Sequence, residues 1–327
     1  MLTEAQQRVR ATGIGSSDIG AVAGLSPYAR PIDVWMVKRG IAEVPETEAM
    51  RLGTALEPVV AGLYAREHLV DGEWLALPSD VWPGSVQGTL RHASEPWIVA
   101  SPDRAVVDRA CVDAPGRAVV RLVEIKTVSH CSAHHWGEAH DDVPPWYRAQ
   151  IEWQMLVAGV DVCDLVALIG GAELRVYRIA RDPELAAMLV DVARAFWRHV
   201  EAGTEPPIDG SDSWRAYLES RFRGGRGEVL AATPEAEEIA ARLADAQARR
   251  KAAEADEERA ANELRARIGD ADGIAGEGWK ATWKAPRVGS PKWKDIAHAL
   301  GAEGRPELVA QHTAPPSRRF TFTTKGK

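Results

Sequence analysis

The sequence predicts a mixed α/β domain over residues 1–210, a central mixed sheet flanked by helices, followed by a C-terminal helical or coiled-coil extension. Two observations carry this reading. Strand-sized apolar runs and segments of helical period are interspersed along the first 210 residues, and an alanine-rich, charged stretch of helical period runs over 233–268. With 327 residues, 45% apolar and 27% charged, the chain is long enough for one large domain or two smaller ones and is neither disordered nor fibrous.

Helical spacing of apolar residues marks Ala49–His68, Trp146–Ala158 and Pro183–Glu201, and strand-like runs occur at Ile98–Ala100, Ala105–Val107, Val119–Ile125, Leu165–Ile169 and Leu174–Ile179. Residues 205–211, with two prolines and a glycine, read as a linker or surface loop. Thr233, Pro234 and Glu235 then supply an N-cap, a proline at the first helical position and an early acid. Ile239, Leu243, Ala246, Ala253, Ala260, Leu264 and Ile268 form a narrow apolar stripe, as in a helical hairpin or a coiled-coil arm, and the glycines at 269, 273, 276 and 278 break it. Beyond them, Trp279–Trp283 and Arg319–Thr323 alternate like two strands around a short helix near Lys292–Leu300. The expected division is a first domain over 1–210, a linker and helical arm over 211–278, and a small basic module over 279–327.

No apolar run approaches the ~20 residues that a membrane helix needs, and the first residues show no basic flank before an apolar block, so neither a membrane span nor a secretory signal is expected. Cys111, Cys131 and Cys163 lack CxxC spacing and fit free thiols in a reducing cytoplasm. The net charge is −7, but residues 279–327 carry ten Lys or Arg against three acids, +7, which leaves −14 on the rest. A basic tail on an acidic body suits a polyanionic partner, and equally a solvated surface. The acidic body suits carboxylates gathered around metal ions.

Chemistry concentrates in the meander. Ser101, Pro102 and Asp103 are followed by Glu124, Ile125 and Lys126. Alternation along a strand turns Glu124 and Lys126 to one side, and Asp103 on a neighbouring strand would join them. Two close carboxylates repel unless a cation holds both ionised. Oxygen ligands favour a hard divalent ion, Mg²⁺ or Mn²⁺, with the Ile125 backbone carbonyl as a further ligand. An isolated ExK pattern is commonly a cross-strand ion pair, whereas Pro-Asp upstream completes PD-(D/E)xK. Glu57 lies on an otherwise apolar helical segment and needs either a metal or an ion pair with Arg51 or Arg66. Tyr147, Gln150 and Gln154 share one helix face, where neutral amides can hold a water or a phosphate. Arg10 precedes a glycine-rich turn, Gly13 to Asp18, that suits an anion or simply caps a helix. No GK[ST] or GxGxxG pattern supports a nucleotide-binding class. His130, Cys131, His134, His135 and His140 match no common zinc spacing and read as a polar loop. The twelve Trp residues include candidate stacking platforms among core anchors.

The segments GIGSSDIGAVAGLSPYARPIDVW (13–35), RLGTALEP (51–58), ASPD (100–103), VEIK (123–126) and VPPWYRAQIEWQM (143–155) resemble, in family order, the YqaJ-type viral recombinases, relatives of lambda exonuclease within the PD-(D/E)xK nucleases. The resemblance spans about 13–210. It implies a restriction-endonuclease-like PD-(D/E)xK core and a metal-dependent 5′→3′ exonuclease on linear double-stranded DNA. That activity leaves 3′ single-stranded overhangs for phage-type recombination by strand annealing. Asp103 and Glu124 match the metal-binding carboxylates, Lys126 the catalytic lysine, Glu57 the acid reaching a second metal, and Gln150 the motif glutamine. Tyr147 and Gln154 lie in the same motif without an assigned role. Arg10, Ser17 and Ser101 occupy positions similar to those that grip a 5′-phosphate. The implied cofactor is Mg²⁺ or Mn²⁺; the implied partners are DNA ends, a single-strand annealing protein and further copies of the chain, in a bacterial host cytoplasm. The alternatives are an endonuclease or repair nuclease of the same fold, or an inactive DNA-binding module. The 21 positions from Asp103 to Glu124 exceed the usual hairpin, and a loop extension around Cys111–Gly116 absorbs them.

Overall fold

Residues 122–128 alternate sharply between the two sides of a sheet, and that alternation sets the architecture of the chain. In a computed structural model, which describes residues 4–108, 119–139, 141–224 and 227–284 together with 297, 298, 301, 305 and 307, the chain divides into two units, Met1–Leu218 and Glu219–Lys327. The first begins with three short helices, α1 (Glu4–Ala11), α2 (Ser16–Val22) and α3 (Pro31–Lys38), and the long α4 (Glu48–His68). Strand β1 (Glu73–Ala76), helix α5 (Pro78–Val81), strands β2 (Leu90–Arg91), β3 (Val99–Ala100), β4 (Arg104–Asp108) and β5 (Val119–Val128) follow. Then come α6 (Pro145–Ala158), β6 (Val162–Ile169), β7 (Glu173–Ala180), α7 (Pro183–Ala202) and α8 (Asp212–Arg221).

The main sheet has the order β1-β4-β5-β6-β7. Only β5 and β6 run parallel; the other neighbours are antiparallel, so the sheet is mixed, with helices on both faces. Parallel neighbours require a crossover, and α6 supplies it. Leu122 and Val128 join Cys163, Leu165, Ala167 and Ile169 under Ile151 and Met155 of α6. Val123, Ile125 and Val166 pack against Val60, Ala61 and Tyr64 of α4 on the opposite face. A third cluster ties α2 and α3 to α6, α7 and α8 through Ile19, Trp35, Trp153, Phe196 and Trp214. This is an α/β core built on a central mixed sheet flanked by helices, the class read from the sequence.

The expected helices and strands of this unit are present with small changes at their ends. Strand β1, at the sheet edge, is an addition: four residues, Glu73-Trp-Leu-Ala, are too few to show an alternating pattern. In the second unit α9 (Pro234–Ile268) is one continuous 35-residue helix rather than a hairpin, capped by Thr233 on the Ala236 N–H at 3.3 Å. The glycine-rich stretch behind it forms strand β8 (Gly273–Gly276), antiparallel to β9 (Trp279–Thr282). The strand expected at Trp279–Trp283 therefore pairs within that stretch. The strand expected at Arg319–Thr323, and the Cys111–Gly116 extension, lie outside the described residues, as does most of the helix expected near Lys292–Leu300. Among the described residues no helix is long and apolar enough to cross a membrane.

On the α4 face the sheet buries a charged network. Asp164 of β6 is 0% exposed. It accepts from Tyr64 at 2.6 Å, from Arg121 Nε at 2.9 Å and from Arg178 at 2.8 and 2.9 Å. Arg121 also forks onto Glu73 at 2.7 and 2.8 Å. Burial pushes the Asp164 carboxyl up, but Arg178, Tyr64 and Arg121 outweigh it and hold it below the ordinary range. The Arg121 fork likewise lowers Glu73 against a smaller effect of burial. Both shifts stabilise the fold above the ordinary carboxylate range, and that contribution is lost as pH falls through the lowered folded-state values.

Removing one partner strands the others in a dry site. Urea denaturation should show Arg121→Met costing about 3–5 kcal/mol and Tyr64→Phe about 1–2 kcal/mol. A loss under 1 kcal/mol for Arg121→Met would mean that the network does not anchor α4.

Candidate active site

Glu124 occupies the middle of β5 with its side chain on the α6 face, 2% exposed. Three donors meet it. Lys126, two residues along the same strand, reaches Oε1 at 2.5 Å. Gln150 Nε2 donates to Oε1 at 2.6 Å, and Gln154 Nε2 to Oε2 at 2.8 Å. The i, i+4 spacing on α6 sets the two amides one above the other, so each takes one carboxylate oxygen. Tyr147, one turn earlier, lies with its ring centroid 5.0 Å from Lys126 Nζ. The structure thus gathers Tyr147, Gln150 and Gln154 around Glu124 and Lys126.

Asp103 immediately precedes β4, whose first residue, Arg104, stands opposite Val123. Its Oδ2 accepts the Ile125 N–H at 2.8 Å, which fixes the carboxylate beside the Glu124–Lys126 pair. Burial and the Glu124 carboxylate push Asp103 well above the usual range, and Glu57 adds to the rise against the opposing pull of Lys126 and the Ile125 N–H. Burial alone would lower Lys126, but Glu124 and Asp103 outweigh it and keep the ammonium protonated above its ordinary value. Lys126 is therefore a fixed positive charge and donor, and no general base near neutral pH.

Glu57 comes from α4, on the other face of the sheet. Its partner is neither Arg51, which pairs with Glu48, nor Arg66, which pairs with Glu67. Arg104 takes it at 2.6 Å and also donates to the Asp103 carbonyl at 2.6 Å. Arg104 follows the ASPD segment directly, and strand alternation aims it at the α4 face. Its partner lies 47 positions away on α4, so no local pattern marks Arg104.

The glycine-rich turn leads into α2. Asp18 accepts the Gly15 N–H at 2.8 Å and pairs with Lys38 at 2.7 Å. Burial raises Asp18, but Lys38 and Arg10 outweigh it and hold the acid below its ordinary range. Arg10 donates to Ser17 Oγ, and the Arg10 carbonyl accepts from Lys38 at 2.8 Å. Ser16 joins this turn to the acidic site, its Oγ accepting from Gln154 Nε2 at 3.5 Å. Ser101 pairs with the Thr89 hydroxyl at 2.9 Å, two residues from Asp103. Lys38 and Thr89 carried no sequence signal, since each sits in an ordinary helical or loop context, whereas Ser16 belongs to the glycine-rich turn singled out in the sequence.

His130–His135 forms a 3-10 turn in which the His134 ring bonds the Cys131 carbonyl at 2.9 Å and His135 meets Trp146 edge-on at 5.4 Å. His140 lies outside the described residues. Among the described residues no three His, Cys, Asp or Glu side chains close into a ready-made metal cage, because Arg104 holds Glu57 while Lys126 and the two glutamines hold Glu124. The charges nevertheless leave an excess: three carboxylates, Glu57, Asp103 and Glu124, face two cations, Lys126 and Arg104. Gln154 Oε1 is also buried without a partner. An all-oxygen donor set with surplus negative charge fits a hard divalent cation.

Residues 6–161 match the sequence model of the YqaJ-like viral recombinase domain, a span that includes every site residue named above. The chain is 28% identical over 218 residues to the protein YqaJ of Bacillus subtilis (strain 168), a match covering 65% of this chain and 61% of that protein. It is 27% identical over 161 residues to the protein R354 of Acanthamoeba polyphaga mimivirus, covering 48% and 27%. The matches thus take in less than two thirds of either relative's length. Among solved structures, an alkaline exonuclease (LHK-Exo) from Laribacter hongkongensis aligns at 23% identity over 68% of this chain and 98% of that one, with a TM-score of 0.46. A phage related exonuclease from Haemophilus somnus 129PT aligns at 11% identity over 58% and 94%, with a TM-score of 0.40.

The raised Asp103 carboxyl has a thermodynamic signature. Its stabilising contribution is present below the ordinary carboxylate pKa and is lost as pH rises through its own raised value. In chelator, thermal melts should therefore show Asp103→Asn more stable than wild type at pH 8, with the advantage shrinking in acid. An Asn variant that is less stable at pH 8 would mean that Asp103 carries no such repulsion.

Proposed function

We propose that this chain, whose residues 6–161 match the sequence model of the YqaJ-like viral recombinase domain, is a metal-dependent 5′→3′ exonuclease acting on linear double-stranded DNA. A nuclease is the reading that the family and the acidic site support together; the direction, the duplex substrate and the cation go beyond it. The observation that carries the reading is the buried Glu124 carboxylate, flanked by a lysine that stays protonated and by Asp103, whose charge is incompletely compensated.

Asp103, Glu124 and the Ile125 carbonyl would hold one Mg²⁺ or Mn²⁺, and Glu57 would reach a second by exchanging Arg104. When bound, the ion supplies an activated water and neutralises charge on the leaving 3′-oxygen. Gln150 and Gln154 fix both oxygens of Glu124, so the carboxylate cannot turn away from the reacting phosphate. Lys126 places a positive charge where the phosphate gathers negative charge. Arg10, Ser17 and Ser101 would grip the 5′-terminal phosphate and hold the next bond in register. The products would be 5′-mononucleotides and a 3′ single-stranded overhang, which a single-strand annealing protein would take up.

Linear duplex labelled at either end, with a closed circular duplex alongside, tests the reading. With Mg²⁺ or Mn²⁺ the 5′ label should be released early and the 3′ label late, the circle should stay intact, and Lys126→Ala should lose about 100-fold or more in rate. A nicked circle would replace the proposal with an endonuclease, and DNA binding without cleavage would replace it with a binding module.

A further inference from the structure

Helix α9 is long, and the described residues of its own unit give it little to pack on. Its 35 residues span about 52 Å at 1.5 Å per residue, yet Ile268, at its end, is the one buried residue. Ile239 is 55% exposed and Leu264 38% exposed. Four ion pairs within the helix, Arg249–Asp245, Arg250–Glu254, Arg259–Asp256 and Arg265–Glu258, lie on the surface. Exposed pairs of this kind stabilise by only a few tenths of a kcal/mol each. A helix of this length with an uncovered apolar seam calls for a partner.

The seam follows a heptad. One set of core positions is Ala236, Leu243, Arg250, Glu257 and Leu264; the other is Ile239, Ala246, Ala253, Ala260 and Arg267. In a parallel pair each residue of the seam meets its own copy. Arg250, Glu257 and Arg267 would then each face an identical charge. In an antiparallel pair the two sets face one another. Leu264 then meets the second copy's Ile239, and Leu243 meets its Ala260. Arg250, Glu257 and Arg267 each lie over an alanine, Ala253, Ala246 and Ala236, where their stems can pack while the charged ends reach water.

The flanking positions select the same arrangement independently. Arg242, Arg249, Asp256 and Glu263 recur every seven residues along one edge of the seam. Antiparallel pairing sets Arg242 against Glu263 and Arg249 against Asp256, twice each by symmetry. On the other edge Gln247 meets Glu254, and Ala240 meets Ala261. In parallel pairing this edge retains a single opposite-charge match, Arg249 with Glu254. We propose that α9 is a dimerisation arm that pairs antiparallel with α9 of a second copy of this chain, in the register that sets Leu264 on Ile239 and Arg249 on Asp256. This does not depend on the catalytic reading.

Charge reversal separates this arrangement from every other assembly the chain makes. Arg249 and Asp256 are each bonded only to exposed partners on their own helix, so their exchange leaves the fold unperturbed. Light scattering of the full-length chain should give Arg249→Asp and Asp256→Arg each half the mass of wild type, since each faces like charges. Mixing the two single variants one to one restores opposite charges at all four positions and should restore the wild-type mass, as should the double variant. Single variants that keep the wild-type mass would overturn the proposal. So would a mixture that stays at the halved mass, because only the antiparallel register makes the two variants complementary.

Discussion

A carboxylate at 2% exposure must be given donors or lose its charge, and Glu124 receives them from two directions. Lys126 comes along its own strand, and Gln150 and Gln154 descend from the crossover helix α6. That arrangement ties the chemistry to the topology. Parallel β5 and β6 require α6 to lie across the sheet, and the residues that seat α6, Ile151 and Met155, fix the angle at which its amides arrive. A shift of one residue in β5 would turn Glu124 to the α4 face and leave the amides without a carboxylate.

The two faces of the sheet treat buried acid in opposite ways. On the α4 face, Asp164 and Glu73 meet Arg121 and Arg178, and the acids are held below their ordinary range. On the α6 face and at the end of β4, Asp103 is pushed up by burial and by Glu124. The compensated network holds α4, and with it Glu57, against the sheet. The undercompensated one is where an added cation gains most. The same sheet therefore carries a compensated charge cluster on one face and an undercompensated one on the other.

Much of this was readable from residue order because it rests on periodicity. The helices at Ala49–His68, Trp146–Ala158 and Pro183–Glu201 bury a repeating face, and ExK on an alternating strand places Glu124 and Lys126 together. What escaped lacks a period. The edge strand β1 is too short, β8 is half glycine, and Arg104 gains its importance from lying across the sheet from α4, a relation no local pattern encodes. Glu57 stood out as an acid among apolar neighbours, but its ion pair joins residues 47 positions apart. Gln154 was placed with Tyr147 and Gln150 on one helix face, and the fold shows that its amide donates to Glu124.

As proposed above, Asp103 and Glu124, short of compensating positive charge, would take a hard divalent cation. Electron paramagnetic resonance of Mn²⁺, titrated into the chain with a short duplex bearing nuclease-resistant ends, measures this directly. Wild type should take up Mn²⁺, Asp103→Asn should bind it at least about tenfold more weakly, a loss of 1.4 kcal/mol, and Mg²⁺ should displace it. Equal uptake by wild type and Asp103→Asn, or none by wild type, would contradict a cation site at these carboxylates.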